Sequence, residues 1–285
     1  MPDTLDKNSI DAKNAAFWDE LCGSSLAKYL DIKDSSPSSL KRFDDWYFAY
    51  YPYLFTHIPF LQMKDRDVLE VGLGYGTVSQ RIAESGARYQ GLDIAAGPVA
   101  MVSDRLRQTH LPGTARQGSI LAAPYPDESF DYVVAIGCLH HTGDLPKAIT
   151  ECRRILRPRG QLIFMVYYAY SYRRIFQATV DTLRYFGRET AGYRGSVTAS
   201  HASQRRAYDS SATGEAAPHT DWISIRSLRS YCREFTSFVA TLENIDNGIP
   251  FKWSRPREEL LNTRYPKWFG LDLYATATNT KSQQL

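Results

Sequence analysis

The sequence predicts an α/β protein: a mostly parallel β-sheet with helices on both faces. Three observations carry that expectation. Short apolar runs alternate with helix-period segments from residue 67 to residue 170. The runs are apolar on both strand faces, as in sheets covered on each side. The first run passes straight into Gly72-Leu73-Gly74-Tyr75-Gly76 and a helix start, the strand–turn–helix junction of such folds.

Taken in order, residues 12–30 read as a polar helix, closed by the breaker cluster of residues 34–39 (Asp-Ser-Ser-Pro-Ser-Ser). Residues 43–55 are unusually aromatic, and their rings serve either as core packing or as a lid over a ligand. Strands are expected at 67–71, 89–94, 115–118, 130–136 and 161–166, with helices at 77–85, 96–108 and 145–156 between them. Arg157-Pro158-Arg159-Gly160 supplies the stop before the 161–166 strand. A helix at 172–185 is followed by a Ser-, Ala-, Gly- and Thr-rich stretch, 192–220, that fits neither period and reads as a functional lid or a disordered loop. A helix at 224–235 and strands at 237–244 and 271–278 complete the chain. The expected organisation is an N-terminal helical and aromatic lid (1–64), a core (65–170), a lid insertion (171–222) and a C-terminal helix with two strands (223–280).

Composition narrows the function. Hydrophobic residues are 43% and aromatics 13% of the 285 residues, enough for a packed core. Thirty-four basic residues against 31 acidic leave a net charge of only +3, without the dense basic face of a nucleic-acid binder. Cys22, Cys138, Cys152 and Cys232 form no C-x-x-C pair, which argues against a zinc or disulfide framework and for reduced thiols. No metal site is expected. The first residues lack the apolar core of a secretory signal, and the longest apolar stretch, 162–170, falls short of the roughly 20 residues of a spanning helix. A cytoplasmic protein without a membrane span is the expectation.

The glycine turn carries the chemistry. Glycines let a ligand approach the backbone, and the following helix start offers unpaired N–H groups. A dinucleotide fingerprint requires glycine at position 77, where this chain has Thr77, and no Lys-Ser/Thr follows for a phosphate loop. Asp93 ends the second strand, where a carboxylate either accepts both hydroxyls of a ribose or caps the next helix. Ile94 beside it suits an adenine face.

From Glu70-Val71-Gly72-Leu73-Gly74-Tyr75-Gly76 through Gly91-Leu92-Asp93, 124–131 (Pro-Tyr-Pro-Asp-Glu-Ser-Phe-Asp), Leu139-His140-His141-Thr142 and 155–162 (Ile-Leu-Arg-Pro-Arg-Gly-Gln-Leu), the sequence resembles the class I S-adenosylmethionine-dependent methyltransferases, most of all their quinone and small-molecule branch. Five blocks in register span residues 67 to 166. The resemblance implies a Rossmann-like, seven-stranded sheet with an antiparallel final strand, and S-adenosyl-L-methionine as cofactor. It further implies that Gly72 and Gly74 line the methionine portion, that Glu70 orients the loop or the ammonium group through water, and that Asp93 holds the ribose. Ser119 and Ile120 stand where the family usually has an acid for the adenine amino group, so binding is weaker there. The backbone of Ile136 and Gly137 would face the amino-acid end. A cofactor without phosphate needs no basic clamp, and none occurs between Glu70 and Gln80.

A base is required if the acceptor is a hydroxyl or protonated amine. His141, of the His140-His141 pair, and His219, beside Asp221, are the candidates, against readings as a helix cap, a cofactor contact or a solvated loop residue. Arginines 173, 174, 184, 188, 194, 205 and 206 in the lid suit an anionic acceptor or a solvated surface alike. The leading expectation is O-, N- or C-methylation of a small molecule. A tRNA-modifying methyltransferase and an inactive cofactor-binding partner subunit remain as alternatives, with a dinucleotide oxidoreductase last. The sequence leaves the oligomeric state undetermined.

Overall fold

A computed structural model describes residues 3–20, 24–199, 201–246 and 255–279. Cys22 lies outside them. The core strands are β1 (Asp67–Val71), β2 (Arg88–Asp93), β3 (Thr114–Gln117), β4 (Phe130–Ile136) and β5 (Leu156–Tyr168). They lie in the order β3-β2-β1-β4-β5, all parallel. After β6 (Val197–Thr198) and β7 (Asp221–Ile223), the chain forms β8 (Ser237–Glu243) and β9 (Asp272–Thr278). β9 runs antiparallel between β5 and β8. The α/β fold is therefore as expected, with one correction. The sheet holds nine described strands rather than seven, the extra pair being β6 and β7 of the insertion.

The helices are α1 (Asp3–Trp18), α2 (Ser25–Tyr29), α3 (Pro37–Tyr50), α4 (Leu54–His57), α5 (Thr77–Glu84), α6 (Ala96–Gln108), α7 (Leu145–Ile155), α8 (Tyr172–Gln177), α9 (Thr179–Thr190), α10 (Ala202–Arg206), α11 (Ile225–Tyr231), α12 (Arg257–Leu261) and α13 (Tyr265–Phe269). Strand alternation separates two cores. Val68, Val134 and Ile163 face α4, α5 and α6 through Leu54, Val78, Ile82 and Val102. Leu69, Val133 and Leu162 face α7 and α11 through Leu145, Ile149 and Leu228. Each such fully buried side chain contributes on the order of 1.5–3 kcal/mol.

The expected 12–30 helix is two helices. Ser24 accepts the Ala27 N–H and caps a fresh start. The 34–39 cluster is only half a break: Ser36 caps α3 and Pro37 opens it. The 157–160 stop is a register irregularity within β5, where Phe130 pairs Leu156 but Tyr132 pairs Gln161, rather than a loop before the strand. The insertion is ordered in short pieces, α8 to α10 with β6 and β7, rather than one helix and a loop.

β5 places the insertion. Its β4 side is filled through Met165, and its other side is filled by β9 through Tyr167. β7 pairs Tyr167 and Tyr168 in parallel, so it occupies the β4 side just past the end of β4. The insertion is thereby hung over the carboxyl edge of the sheet. Among the described residues no helix is long and apolar enough to cross a membrane, and no His, Cys, Asp or Glu cluster suits a metal ion.

Candidate functional site

A cavity of about 270 Å³ opens at that carboxyl edge. Its floor is the glycine turn between β1 and α5. Gly72 has φ +79°, and a Cβ there would lie 2.5 Å from the Cys138 Cβ, so only glycine fits. Gly74 has φ +49° and no atom within 4 Å of an added Cβ, so its backbone is bare toward a ligand.

Asp93, at the end of β2, joins this turn to the next helix. Its Oδ2 accepts the Leu73 N–H at 2.7 Å and its Oδ1 accepts the Ala95 N–H at 2.9 Å. Burial raises its proton affinity, while the N–H groups of Ala95, Leu73 and Ile94 oppose the rise. Each oxygen retains a second lone pair. Glu70, on β1, accepts from Ser79 Oγ at 2.5 Å and Tyr89 OH at 2.8 Å, both on Oε2. Burial pushes its carboxyl up to about 7 against those two hydroxyls.

Glu70, Gly72, Gly74, Asp93, Ile94, Ser119, Ile120, Ile136, Gly137 and His141 all line this one cavity. Ser119 is partly engaged, its Oγ accepting the Leu121 N–H at 3.2 Å. The His219 ring is absent from the lining. It lies 3.3 Å from Asp221 Oδ1, while its backbone oxygen meets His141 Nδ1 at 2.7 Å. His140 is fully buried between His141 and Tyr167, and burial holds its imidazole neutral.

The N-terminal segment makes the roof. Asp11, Asn14 and Trp18 of α1 and Phe43 and Tyr47 of α3 line the cavity. Asn14 donates to the His141 oxygen at 2.7 Å, and Asp19 accepts the Gly97 N–H at 2.5 Å. Asp44 of α3 grips Arg105 of α6 at 2.6 and 3.0 Å and accepts from Thr77. Of the aromatic 43–55 stretch, Phe43 and Tyr47 line the cavity and also pack into the buried clusters of the core. Sequence reasoning missed the α1 residues, although positions 11, 14 and 18 fall on one helical face.

Charge gives the cavity its character. Asp11, Glu70 and Asp93 are carboxylates, and among the described residues no lysine or arginine lines it. Six of the seven arginines of the insertion are occupied elsewhere: Arg173 pairs with Asp246, Arg184 with Asp181, and Arg194 and Arg205 donate to backbone oxygens. Arg174 and Arg188 lie over the rings of Trp222 and Tyr193.

An open parallel sheet with a glycine turn and a carboxylate one strand over defines a Rossmann-like nucleoside-binding domain. Residues 69–164 match the family model described as a methyltransferase domain. A Mycolicibacterium smegmatis protein named for S-adenosylmethionine-dependent methyl transfer is 38% identical over 35% of this chain and 37% of its own length. The ubiquinone biosynthesis O-methyltransferase of Stutzerimonas stutzeri is 29% identical over 36% of this chain and 45% of its own length. The match thus spans less than half the length of these curated relatives. The YcgJ protein of Bacillus subtilis superposes with a TM-score of 0.53 at 17% identity, covering 81% of this chain and 100% of that one, a likeness of fold. Residues 69–164 thus carry a methyltransferase domain similar to those of S-adenosylmethionine-dependent methyltransferases.

Proposed function

We propose that this chain transfers a methyl group from S-adenosyl-L-methionine to an oxygen, nitrogen or carbon of a small molecule in the cytoplasm. The observation that carries the reading is a cavity with three carboxyl groups, a turn whose backbone is bare at Gly74, and no cationic side chain among the described residues. Such a lining repels phosphates and suits a ligand bearing sulfonium and ammonium charges. When bound, that ligand supplies a methyl carbon activated by positive sulfur, which keeps the bonding pair on transfer.

The chain's own residues bind and orient. Asp93, fixed by two backbone N–H groups, would accept the ribose hydroxyls on its remaining lone pairs. Glu70 would balance the ammonium charge. Ile94 and Ile120 would flank the base, and Ser119 would accept from its amino group only weakly, its oxygen already capping the 120–122 turn. The backbone of Gly72, Gly74, Ile136 and Gly137 would bound the methionine portion. Holding the reacting atoms in line at about 3–3.5 Å supplies several kcal/mol of the rate enhancement.

The roof of α1 and α3 encloses the site, supporting a small acceptor, as does the relative named for ubiquinone biosynthesis. No lid arginine reaches the cavity, which favours a neutral acceptor over an anionic one. The three described cysteines are free thiols, in keeping with a reducing compartment. Calorimetry tests the reading: S-adenosylhomocysteine should bind and NAD should not. Labelled methyl should then enter a small-metabolite fraction and leave RNA unlabelled. Absence of heat with S-adenosylhomocysteine would refute the assignment.

A further inference from the structure

We infer that Asp209, carried by the lid insertion, works with His141 as the pair that accepts the proton released by the methyl acceptor. The inference rests on the transferase reading above. It begins with the tautomer. His141 Nδ1 lies 2.7 Å from the His219 backbone oxygen, which can only accept, so Nδ1 carries the hydrogen. The lone pair of the neutral ring is then on Nε2. That atom is buried and has no hydrogen-bond partner.

Nε2 faces a carboxylate oxygen, Asp209 Oδ2, at 3.6 Å. Two lone pairs held face to face in a dry site attract a proton strongly. Asp209 is fixed in that position by Tyr167, whose hydroxyl lies 3.1 Å from both of its oxygens. Burial lowers the proton affinity of His141 and raises that of Asp209, bringing the two toward each other and easing a shared proton. His140, His219 and Asp221 also face the imidazole, and Asp221 favours its charged form while His219 opposes it. Around Asp209 stand Tyr167, Arg173, itself paired with Asp246, and Asp272.

The position suits the chemistry. His141 lines the cavity past the end of β4, and the Asp209 side chain keeps 17% exposure, an exit for the proton. Trp18, which also lines the cavity, packs on the His141 ring with centroids 5.0 Å apart. As the acceptor's lone pair takes the methyl carbon, its O–H or N–H bond breaks. The bonding electrons stay on the acceptor atom, and the proton passes to Nε2. His141 is the catalytic base, and Asp209 and Tyr167 are positioning residues.

The test is a nitrogen-15 histidine NMR titration of the full chain, with and without S-adenosylhomocysteine. We expect Nδ1–H in the neutral ring. In Asp209→Asn, His141 should lose about tenfold or more in proton affinity, with S-adenosylhomocysteine affinity unchanged and kcat reduced. Tyr167→Phe, which removes the donor that stabilises the carboxylate, should move the pair the opposite way, and it serves if Asp209→Asn does not fold. A His141 titration that stays put in the folded variant overturns the pairing. Failure to bind S-adenosylhomocysteine would strike the transferase reading instead, because the titration needs no turnover.

Discussion

Asp93 Oδ2 accepts the Leu73 N–H at 2.7 Å, so the end of β2 is tied to the glycine turn that follows β1. One carboxylate both shapes the floor of the cavity and faces its contents. Asp93→Ala should weaken S-adenosylhomocysteine binding by about 1–3 kcal/mol, the scale of a lost charged hydrogen-bond partner. Asp93→Asn keeps an acceptor and should lose less. Calorimetry on the three proteins checks the order, and equal affinities would remove Asp93 from the site.

The two glycines Gly72 and Gly74 should separate stability from binding. Gly72→Ala meets Cys138 at 2.5 Å in a left-handed backbone and should cost at least about 1–2 kcal/mol in urea unfolding. Gly74→Ala points its methyl into open space. It should unfold almost as the parent does yet lose ligand affinity, because the methyl occupies the approach to the backbone.

Asp44 and Arg105 form an anchor between the roof and the nucleoside half. The Arg105 side chain is 1% exposed and that of Asp44 22%, so Asp44→Ala strands a buried guanidinium. Arg105 retains Tyr75 O and Gln80 Oε1, which puts the expected loss near the lower end of the usual range, about 3 kcal/mol. The double variant Asp44→Ala with Arg105→Met should be more stable than Asp44→Ala alone. Additive losses in urea titrations would contradict this account.

Glu70 makes stability depend on pH in a definite direction. Its folded proton affinity, about 7, exceeds that of an unfolded carboxyl, so its contribution is fully present below the unfolded value and lost as pH rises through about 7. Relative to Glu70→Gln, the parent should lose on the order of 1–3 kcal/mol between about pH 5 and about pH 7.5. Thermal melts at both pH values measure the difference. A constant gap would mean that Glu70 titrates normally.

The sequence made the parallel core legible because buried strands and amphipathic helices write their periods locally. The turn at Gly72 and the strand end at Asp93 were readable for the same reason: each needs a particular residue type at one place in an already phased pattern. Asp209 was not readable. It sits in a stretch of short pieces with neither period, and its meaning comes only from Tyr167 and His141, which the fold brings to it. His219 shows the converse, since its ring drew attention while its backbone oxygen sets the tautomer of His141. Asp11, Asn14 and Trp18 were hidden because a polar helix face that covers a cavity resembles one that faces water.

The antiparallel β9 lies between β5 and β8, and it is made after every other described strand. During synthesis, the 161–167 edge of β5 therefore leaves the ribosome unpaired and waits more than a hundred codons for its neighbour. An unpaired strand edge is a template for association between chains, so truncation before β9 should yield aggregates instead of a smaller folded product.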